Sequence, residues 1–457
     1  MANLRDILQI SKEIDSLEEK TLDALKLKLQ ENNHTNLTFK EDDDLILIHH
    51  NKFGDSELKL TNLENQCRNI IFTKNLEPIC YHFNDIIYNP DDISNINFDT
   101  AAVQESIEGT TLMCFHHNDK WFTSTRRCID ASSSTWIPHL SYKQLMVDIL
   151  CSNMEDKSEE KMEEKVNEFF RLLDKKLCYF FVLIHPNNKN IVTYDQNDYN
   201  NFSKKKKYLI HFMTRVKGSV NEILVDKSES LYNFEGGIIK KSPEYEKCDV
   251  DTINKILSQM NKNNTASKYV LHEGIVIRYY KDNGSCVVIK LQTSKYRRVK
   301  EIKPNNNNEQ QSYLELFKTN NLSEYLDICT SKTIINKAKI IKRLSEMFVN
   351  LSTEVLILYF KTRDKQNPET YNNLTKNYKD ILFKLHGIYK KKCKDNTTDE
   401  KVKLTRTDVY QLLKENISTK SLCILLAHRK KLIDENVNIF TRDNRSTSLT
   451  TSLLHPN

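Results

Sequence analysis

Hydrophobic residues in the first thirty positions recur at helical spacing (Leu4, Ile7, Leu8, Ile10, Ile14, Leu17, Leu22, Leu25, Leu27, Leu29) among charged neighbours. This spacing predicts one or two amphipathic helices over residues 4–32. From Leu45 the pattern changes to short β-branched and aromatic runs separated by Asn, Asp and Gly, which predicts strands at 45–49, 58–60, 69–72, 111–115, 121–124 and 179–184. A charged helix with Met162, Val166, Phe169, Phe170, Leu172 and Leu173 on its apolar stripe is predicted over 154–176, and further strands at 209–215, 222–225, 237–240, 272–280 and 285–291. After the polar stretch Pro304–Gln311 the helical period returns, at 313–317, 335–360, 371–389, 408–415 and 420–433. The expected class is α+β with antiparallel sheets followed by an all-helical region, divided as 1–33, 34–303 and 304–457.

The 457 residues, 39% of them hydrophobic, suffice for two or three globular cores. No apolar run reaches membrane-spanning length: Cys178–Ile184 is short, and Leu351–Phe360 is interrupted by Glu354. The first residues lack the apolar core of a signal peptide. A soluble chain in the cytoplasm, or packaged from it, is therefore expected. Eleven cysteines without a Cys-x-x-Cys pair read as free thiols of a reducing compartment. Cys114, His116, His117 and Cys128 form the one cluster with metal-ligand chemistry; alternating residues of a hairpin are the simpler reading, a zinc site the alternative.

The net charge of +6 conceals an asymmetry. From Lys290 onward there are 32 Lys and Arg against 18 Asp and Glu, leaving 36 against 44 in residues 1–289. A basic C-terminal region beside an acidic one suggests contact with a phosphate backbone there, with a solvated lysine-rich surface as the alternative. The Lys204–Lys207 run reads as a solvated loop.

Several motifs lie in order between Gln66 and Tyr296. They comprise Cys67-Arg68-Asn69-Ile70-Ile71-Phe72 with Phe83-Asn84 and Tyr88-Asn89; Ser106-Ile107-Glu108-Gly109-Thr110; Ser124-Thr125-Arg126-Arg127; Phe181-Val182-Leu183-Ile184-His185-Pro186-Asn187 with Ile191-Val192-Thr193-Tyr194; His272-Glu273-Gly274-Ile275-Val276; and Lys290-Leu291-Gln292-Thr293-Ser294-Lys295-Tyr296. The series resembles that of phage-type ATP-dependent RNA ligases and, more closely, the RNA-ligase-like proteins of large cytoplasmic DNA viruses. The resemblance implies a nucleotidyltransferase domain, ATP and Mg as cofactors, RNA as partner, and a place in the host cytoplasm or virion. It implies nucleotide contacts at Arg68, Glu108, Gly109, Thr110, Glu273 and Lys290, a metal contact at Glu273, and phosphate contacts for nucleic acid at Arg126 and Arg127.

The chain departs from that pattern where chemistry is concentrated. The family's Lys-x-Asp-Gly nucleophile aligns with Ser106, Val182 replaces a nucleotide-contacting glutamate, and Gln292 replaces one of two triphosphate lysines. A neutral lysine amine attacks the α-phosphorus readily, whereas a serine without an adjacent base in sequence does not. Loss of a nucleophile costs on the order of 10⁶ in turnover. The leading expectation is therefore a catalytically degenerate RNA ligase that binds nucleic acid and a nucleotide. The alternatives are an active ligase with a relocated lysine, Lys74 or Lys120, and a non-catalytic subunit of a viral complex.

Overall fold

A computed structural model describes residues 3–434, apart from 53–57, 138, 189, 195–206, 224–229, 282–285, 306–307, 330–333, 364–368, 373 and 397–401. The chain divides into two compact units, Met1–Arg298 and Val299–Asn457.

The first unit begins with helices α1 (Leu4–Ile7), α2 (Gln9–Asp15) and α3 (Leu22–Glu31). Thr21 caps α3 by accepting from Ala24 N–H. The predicted apolar stripe is buried in one core with the first sheet, at Leu4, Leu8, Ile10, Ile14, Leu25 and Leu29, whereas Leu27, two residues from both Leu25 and Leu29 and so on the other side of α3, is exposed. That sheet is a meander of β1 (Leu37–Asp42), β2 (Leu45–His50), β3 (Ile70–Thr73) and β4 (Pro78–Tyr81), with α4 (Asn62–Gln66) between β2 and β3. Residues 58–60, expected as a strand, are irregular: their only apolar side chains are Leu58 and Leu60, and Leu58 is exposed.

Two five-stranded sheets follow. One contains β5 (Ile86–Tyr88) and β6 (Ala102–Ser106); the other contains the hairpin β7 (Thr110–His117) and β8 (Lys120–Thr125). A two-stranded ribbon, β9 (Thr135–Ile137) and β10 (Leu140–Ser141), leads into α5 (Tyr142–Leu150), which opens with a capping box between Ser141 and Gln144, and α6 (Glu159–Arg171). The remaining strands are β11 (Leu177–Ile184), β12 (Tyr208–Val216), β13 (Ile239–Lys241), β14 (Glu244–Tyr245), β15 (Gly274–Tyr280) and β16 (Cys286–Gln292), with α7 (Val250–Ala266) between the last two pairs. The sheet orders are β13-β12-β11-β7-β8 and β14-β6-β15-β16-β5. All pairings in them are antiparallel except β12–β13 and β16–β5. Glu222, expected in a strand, makes one isolated bridge to Arg215, and residues 224–225 of that expectation lie outside the described residues.

The fully buried Arg215 guanidinium ties the sheets together. Nη1 donates to the carbonyls of Tyr81, at 2.8 Å, and His82, and Nη2 to Tyr280 Oη at 3.0 Å. Glu222 supplies the counter-charge, 3.6 Å from Arg215 and 3.2 Å from Arg278, and these cations hold its carboxyl near 2 against the effect of burial.

Helix α8 (Ser294–Ile302) crosses the division. The second unit is helical: α9 (Glu309–Lys318), α10 (Leu322–Cys329), α11 (Ile334–Lys361), α12 (Glu369–Asn372), α13 (Lys376–Asp395), α14 (Arg406–Gln411) with a π-type turn at Leu412–Asn416, and α15 (Thr419–Asp434). Its core includes Leu316, Leu326, Phe348, Val355, Leu358, Leu385, Val409 and Leu425. The helix expected over 371–389 is two: α12 ends at Asn372, and Thr375 precedes α13 in extended conformation. The architecture is thus α+β with largely antiparallel sheets, and an α-helical C-terminal region. Among the described residues no helix is long and apolar enough to cross a membrane.

Candidate functional site

Gly274 brings the first group of residues together. In the ladders it stands between Ser106 on β6 and Gln292 on β16. Its backbone, at φ +149°, approaches β16 so closely that a Cβ would lie 1.9 Å from Leu291 O. Glu273, immediately before it, is 3% exposed, and its carboxylate accepts from Ser106 Oγ (2.9 Å), Lys290 Nζ (3.1 Å to both oxygens) and Gln292 Nε2 (3.0 Å). Asn89 buttresses the group by accepting from Gln292 N–H at 2.7 Å. Burial alone would raise the Glu273 pKa; the Lys290 charge and the donors on Gln292 and Ser106 hold it below 4.5 instead.

Ser106, read from sequence as lacking a base, therefore has one within hydrogen-bond reach. The base is weak, because a carboxylate neutralised by Lys290 has little affinity for a further proton. Nor does Glu273 fit the expected metal contact: its oxygens are shared among three donors, one of them a cation, and no cluster of three potential ligands occurs among the described residues.

The Glu108-Gly109-Thr110 turn is engaged with the chain following β11. Glu108 Oε2 accepts from Ile191 N–H and Val192 N–H, both at 2.7 Å, and its carbonyl accepts from Tyr194 Oη at 2.7 Å. A Cβ on Gly109 would meet Val182 Cγ1 at 2.5 Å and Leu183 O at 2.6 Å, so this glycine answers to close strand packing. The Thr110 hydroxyl and the Asn188 side-chain amide are 3.1–3.2 Å apart. Val182 belongs to an apolar cluster with Ile184 and Ile210, against which Ile107, Tyr194, Tyr208 and Phe212 pack. Where the resemblance implied a nucleotide-contacting glutamate, the side chains present are hydrocarbon and phenol.

The three arginines converge on a second place, a cavity of about 250 Å³ whose lining includes Arg68, Asn69, His82, Thr110, Ser124, Arg126 and Arg127. Ser124, near the end of β8, and Arg126, in the turn that follows it, both line this cavity. Arg126 Nη2 donates to Lys52 O at 2.7 Å and contacts His50 Nδ1 at 3.0 Å. Arg68 pairs with Asp85 at 3.1 Å, and Lys52 with the same carboxylate at 2.7 Å. Two cations, Lys52 and Arg68, thus pair with one carboxylate, and Arg126 lies within its field. Burial, then Arg68 and Arg127, lowers the Arg126 pKa to about 9, while burial, then Arg126, lowers that of His50 to about 3. Burial, followed by Arg68, Arg215 and Arg126, also holds His82 neutral, so it offers one N–H and one lone pair.

Among the described residues, nine buried side-chain polar atoms make no hydrogen bond, and six belong to this lining: Arg68 Nε, Asn69 Oδ1, both His82 ring nitrogens, Ser124 Oγ and Arg126 Nε. Each such group costs about 1–3 kcal/mol. Five of the six can act as donors or sit on a donor ring, beneath an excess of positive charge. The chemistry fits an anion of phosphate size, with Asn69 Oδ1 free to accept from a hydroxyl.

Other expected positions lie elsewhere. Lys120 is exposed at the β7–β8 turn, 3.7 Å from Asp43, and Lys74 N–H bonds to Asp44 O; the lysine on the carboxylate that holds Ser106 is Lys290. The zinc alternative is overturned: Cys114 is buried on β7 beside Thr123, His116 packs edge-on to Trp121 with ring centres 5.4 Å apart, His117 pairs with Asp44 at 2.9 Å, and Cys128 is 3.5 Å from Lys40, so the four residues face different surroundings and form no metal-ligand cluster among the described residues. Of the Lys204–Lys207 run, only Lys207 is described; it pairs with Asp148 at 2.6 Å. Sequence reasoning missed His50, Lys52, His82 and Asp85, and named Ser124 only as part of a motif; the signal available was the nearness of Asp85 to Arg68 in the motif series.

No family model matches the chain, and no curated protein does. Solved structures similar to it include nucleic-acid ligases: an archaeal ATP-dependent RNA ligase, at 12% identity and a TM-score of 0.37, covers 71% of this chain and 75% of its own. A Naegleria gruberi RNA ligase with PPi, at 16% identity and a TM-score of 0.27, covers 44% of this chain and 51% of its own.

Proposed function

We propose that the protein is an RNA-ligase-type nucleotidyltransferase by descent that binds a phosphate of RNA, or of a nucleotide, in the Arg68–Arg126 cavity without forming a lysyl-nucleotide. The single observation that carries this reading is the set of six unpartnered buried polar atoms beneath Arg68, Arg126 and Arg127. The ordered motif series between Gln66 and Tyr296 supports the descent. The hydroxyl at the nucleophile position, committed to Glu273, and the hydrocarbon of Val182 support the loss of chemistry. The Asn- and Lys-rich composition supports a large cytoplasmic DNA virus as source, and host cytoplasm or virion as location.

The test is binding of 5′-phosphorylated single-stranded RNA, compared with the same RNA lacking the phosphate and with Arg126→Ala. Tighter binding of the phosphorylated strand, lost in the variant, is expected. Equal affinity for the two strands, unchanged in Arg126→Ala, would refute the reading.

A second reading has one specific observation in its favour. Lys290 Nζ lies 3.1 Å from the carboxylate that also holds Ser106, which places its amine nearer the nucleophile position than Lys74 or Lys120. In this reading Lys290 Nζ, once deprotonated, forms a bond to the α-phosphorus of ATP while the bond to the bridging oxygen breaks and pyrophosphate leaves. Incubation with α-labelled ATP and a divalent cation, followed by a denaturing gel, distinguishes the two. A covalent adduct abolished by Lys290→Ala would replace the first reading with this one.

A further inference from the structure

Helix α13 buries Tyr378, Ile381, Leu382 and Leu385 in the core of the second unit. The opposite face carries Phe383, 78% exposed, the most exposed of the large hydrophobic side chains among the described residues. At 100° per residue, Lys376, Lys379, Lys390 and Lys394 fall within about 40° of the direction of Phe383. Gly387, one turn onward, is exposed, and a Cβ there would meet nothing within 4 Å, so the surface beside the ring is flat and open. Tyr371, 42% exposed on α12, lies beside this face: Lys379 Nζ is 5.5 Å from its ring centre and donates to Asn372 O at 3.0 Å. The acids of the helix, Asp380 and Asp395, fall about 60° or more to the side of this row.

We infer that this face of α13, with Phe383 and the neighbouring Tyr371 of α12 as stacking rings and Lys376, Lys379, Lys390 and Lys394 as backbone contacts, binds single-stranded nucleic acid. Rings interleaved with lysines match the alternation of bases and phosphates, since every base offers a π-face and every phosphate a charge. Charge complementarity selects a polyanion, and the lysine row is roughly 27 Å long, from Lys376 to Lys394. An anionic lipid surface would also meet the charge, but the apolar stripe of α13 is already spent on the core, which leaves one exposed hydrocarbon ring and little area to insert. The inference rests on the RNA-binding reading above and assigns it a second contact, separate from the arginine cavity.

The experiment is fluorescence anisotropy of the full chain with labelled single-stranded oligouridine, across a salt series. Phe383→Ala is expected to weaken binding roughly 5- to 100-fold, Phe383→Tyr to preserve it, and Lys390→Glu/Lys394→Glu to reduce the salt slope by about 0.7 for each phosphate no longer neutralised. Because Phe383 lies outside the core, melting temperatures should not move. Unchanged affinity in Phe383→Ala would overturn the inference, as would a Phe383→Ala variant that no longer binds anionic vesicles yet keeps its RNA affinity. If Arg126→Ala abolishes RNA binding while Phe383→Ala does not, this surface fails and the cavity stands; if wild type binds no RNA at low salt, both fail.

Discussion

The hydroxyl of Ser106 donates to Glu273 Oε2 at 2.9 Å, joining residues 167 positions apart in sequence. Serine is short enough to leave room for Lys290 and Gln292 on the same carboxylate. The position of the expected nucleophile has become one corner of a closed polar group. Ser106→Ala should destabilise the fold by about 1.5–3 kcal/mol, the usual value of a hydrogen bond to a charged partner, measured by urea unfolding. Any residual labelling by ATP should be unchanged in this variant.

Lys290 supplies the only full charge among the three donors to Glu273. Lys290→Met would leave a buried carboxylate without a cation, at a cost of about 3–5 kcal/mol. The sign with pH follows. In the wild type the Glu273 pKa is lowered, so the group's contribution is present above 4.5 and drains away as pH falls below that value. Without the lysine the carboxyl pKa rises, and the variant should lose less stability on acidification than the wild type. Thermal melts at pH 7 and pH 4 check both statements.

Arg126 is held against its own preference, since burial and two neighbouring guanidinium groups oppose its charge. Removing it should relieve that repulsion. Arg126→Met is therefore expected to stabilise the protein by about 0.5–2 kcal/mol while abolishing affinity for phosphate, the trade expected of a strained functional residue. A variant both less stable and still able to bind would contradict this account of the cavity.

The same residue sets a pH profile. Arg126 loses its proton near 9, whereas His50 gains one only near 3. Phosphate affinity should accordingly be flat from pH 7 to 8, above the second ionisation of a phosphate monoester at about 6, and fall as pH rises through about 9. A rise in affinity between pH 8 and 7 would instead implicate a histidine as the anion's cationic partner.

Gly109 is fixed by packing. Its Cβ would collide with both Val182 Cγ1 and the Leu183 carbonyl oxygen, so Gly109→Ala should cost about 1–3 kcal/mol. Val182→Ala should not rescue it, because the backbone oxygen remains. Denaturant midpoints of the two single variants and the double variant test this.

Period and turn residues made most strands and the long C-terminal helices legible in the sequence. The failures have physical reasons. Leu58 and Leu60 alternate as strand residues do, but neither is buried in a core. The 371–389 period continues across a break that its apolar positions do not mark, because Tyr371 and Leu374 keep the spacing. The ordered motifs brought Ser106, Glu273 and Lys290 into view as members of one series, and these residues do meet through the Glu273 carboxylate. The arginine cavity was half legible: Arg68 and the Arg126–Arg127 pair carry visible chemistry, but His82 and Ser124 become telling only once burial removes their partners.

The parallel pairing of β16 with β5 has a consequence for biosynthesis. Ile86 aligns with Val288 and Tyr88 with Lys290, so a strand made early finds its neighbour only after about two hundred further residues have emerged. At typical synthesis rates that interval is roughly 10–40 s. The nascent chain must hold Ile86 and Val103, both buried in the finished protein, without their partner strands for that time. The N-terminal helices and the β1–β4 meander, whose contacts are local, are free to form meanwhile and offer a folded platform to which the later sheet returns. Truncation before β15 should thus yield chains that are recognised by chaperones and cleared, so that the polar group at Glu273 exists only in molecules translated past Gln292.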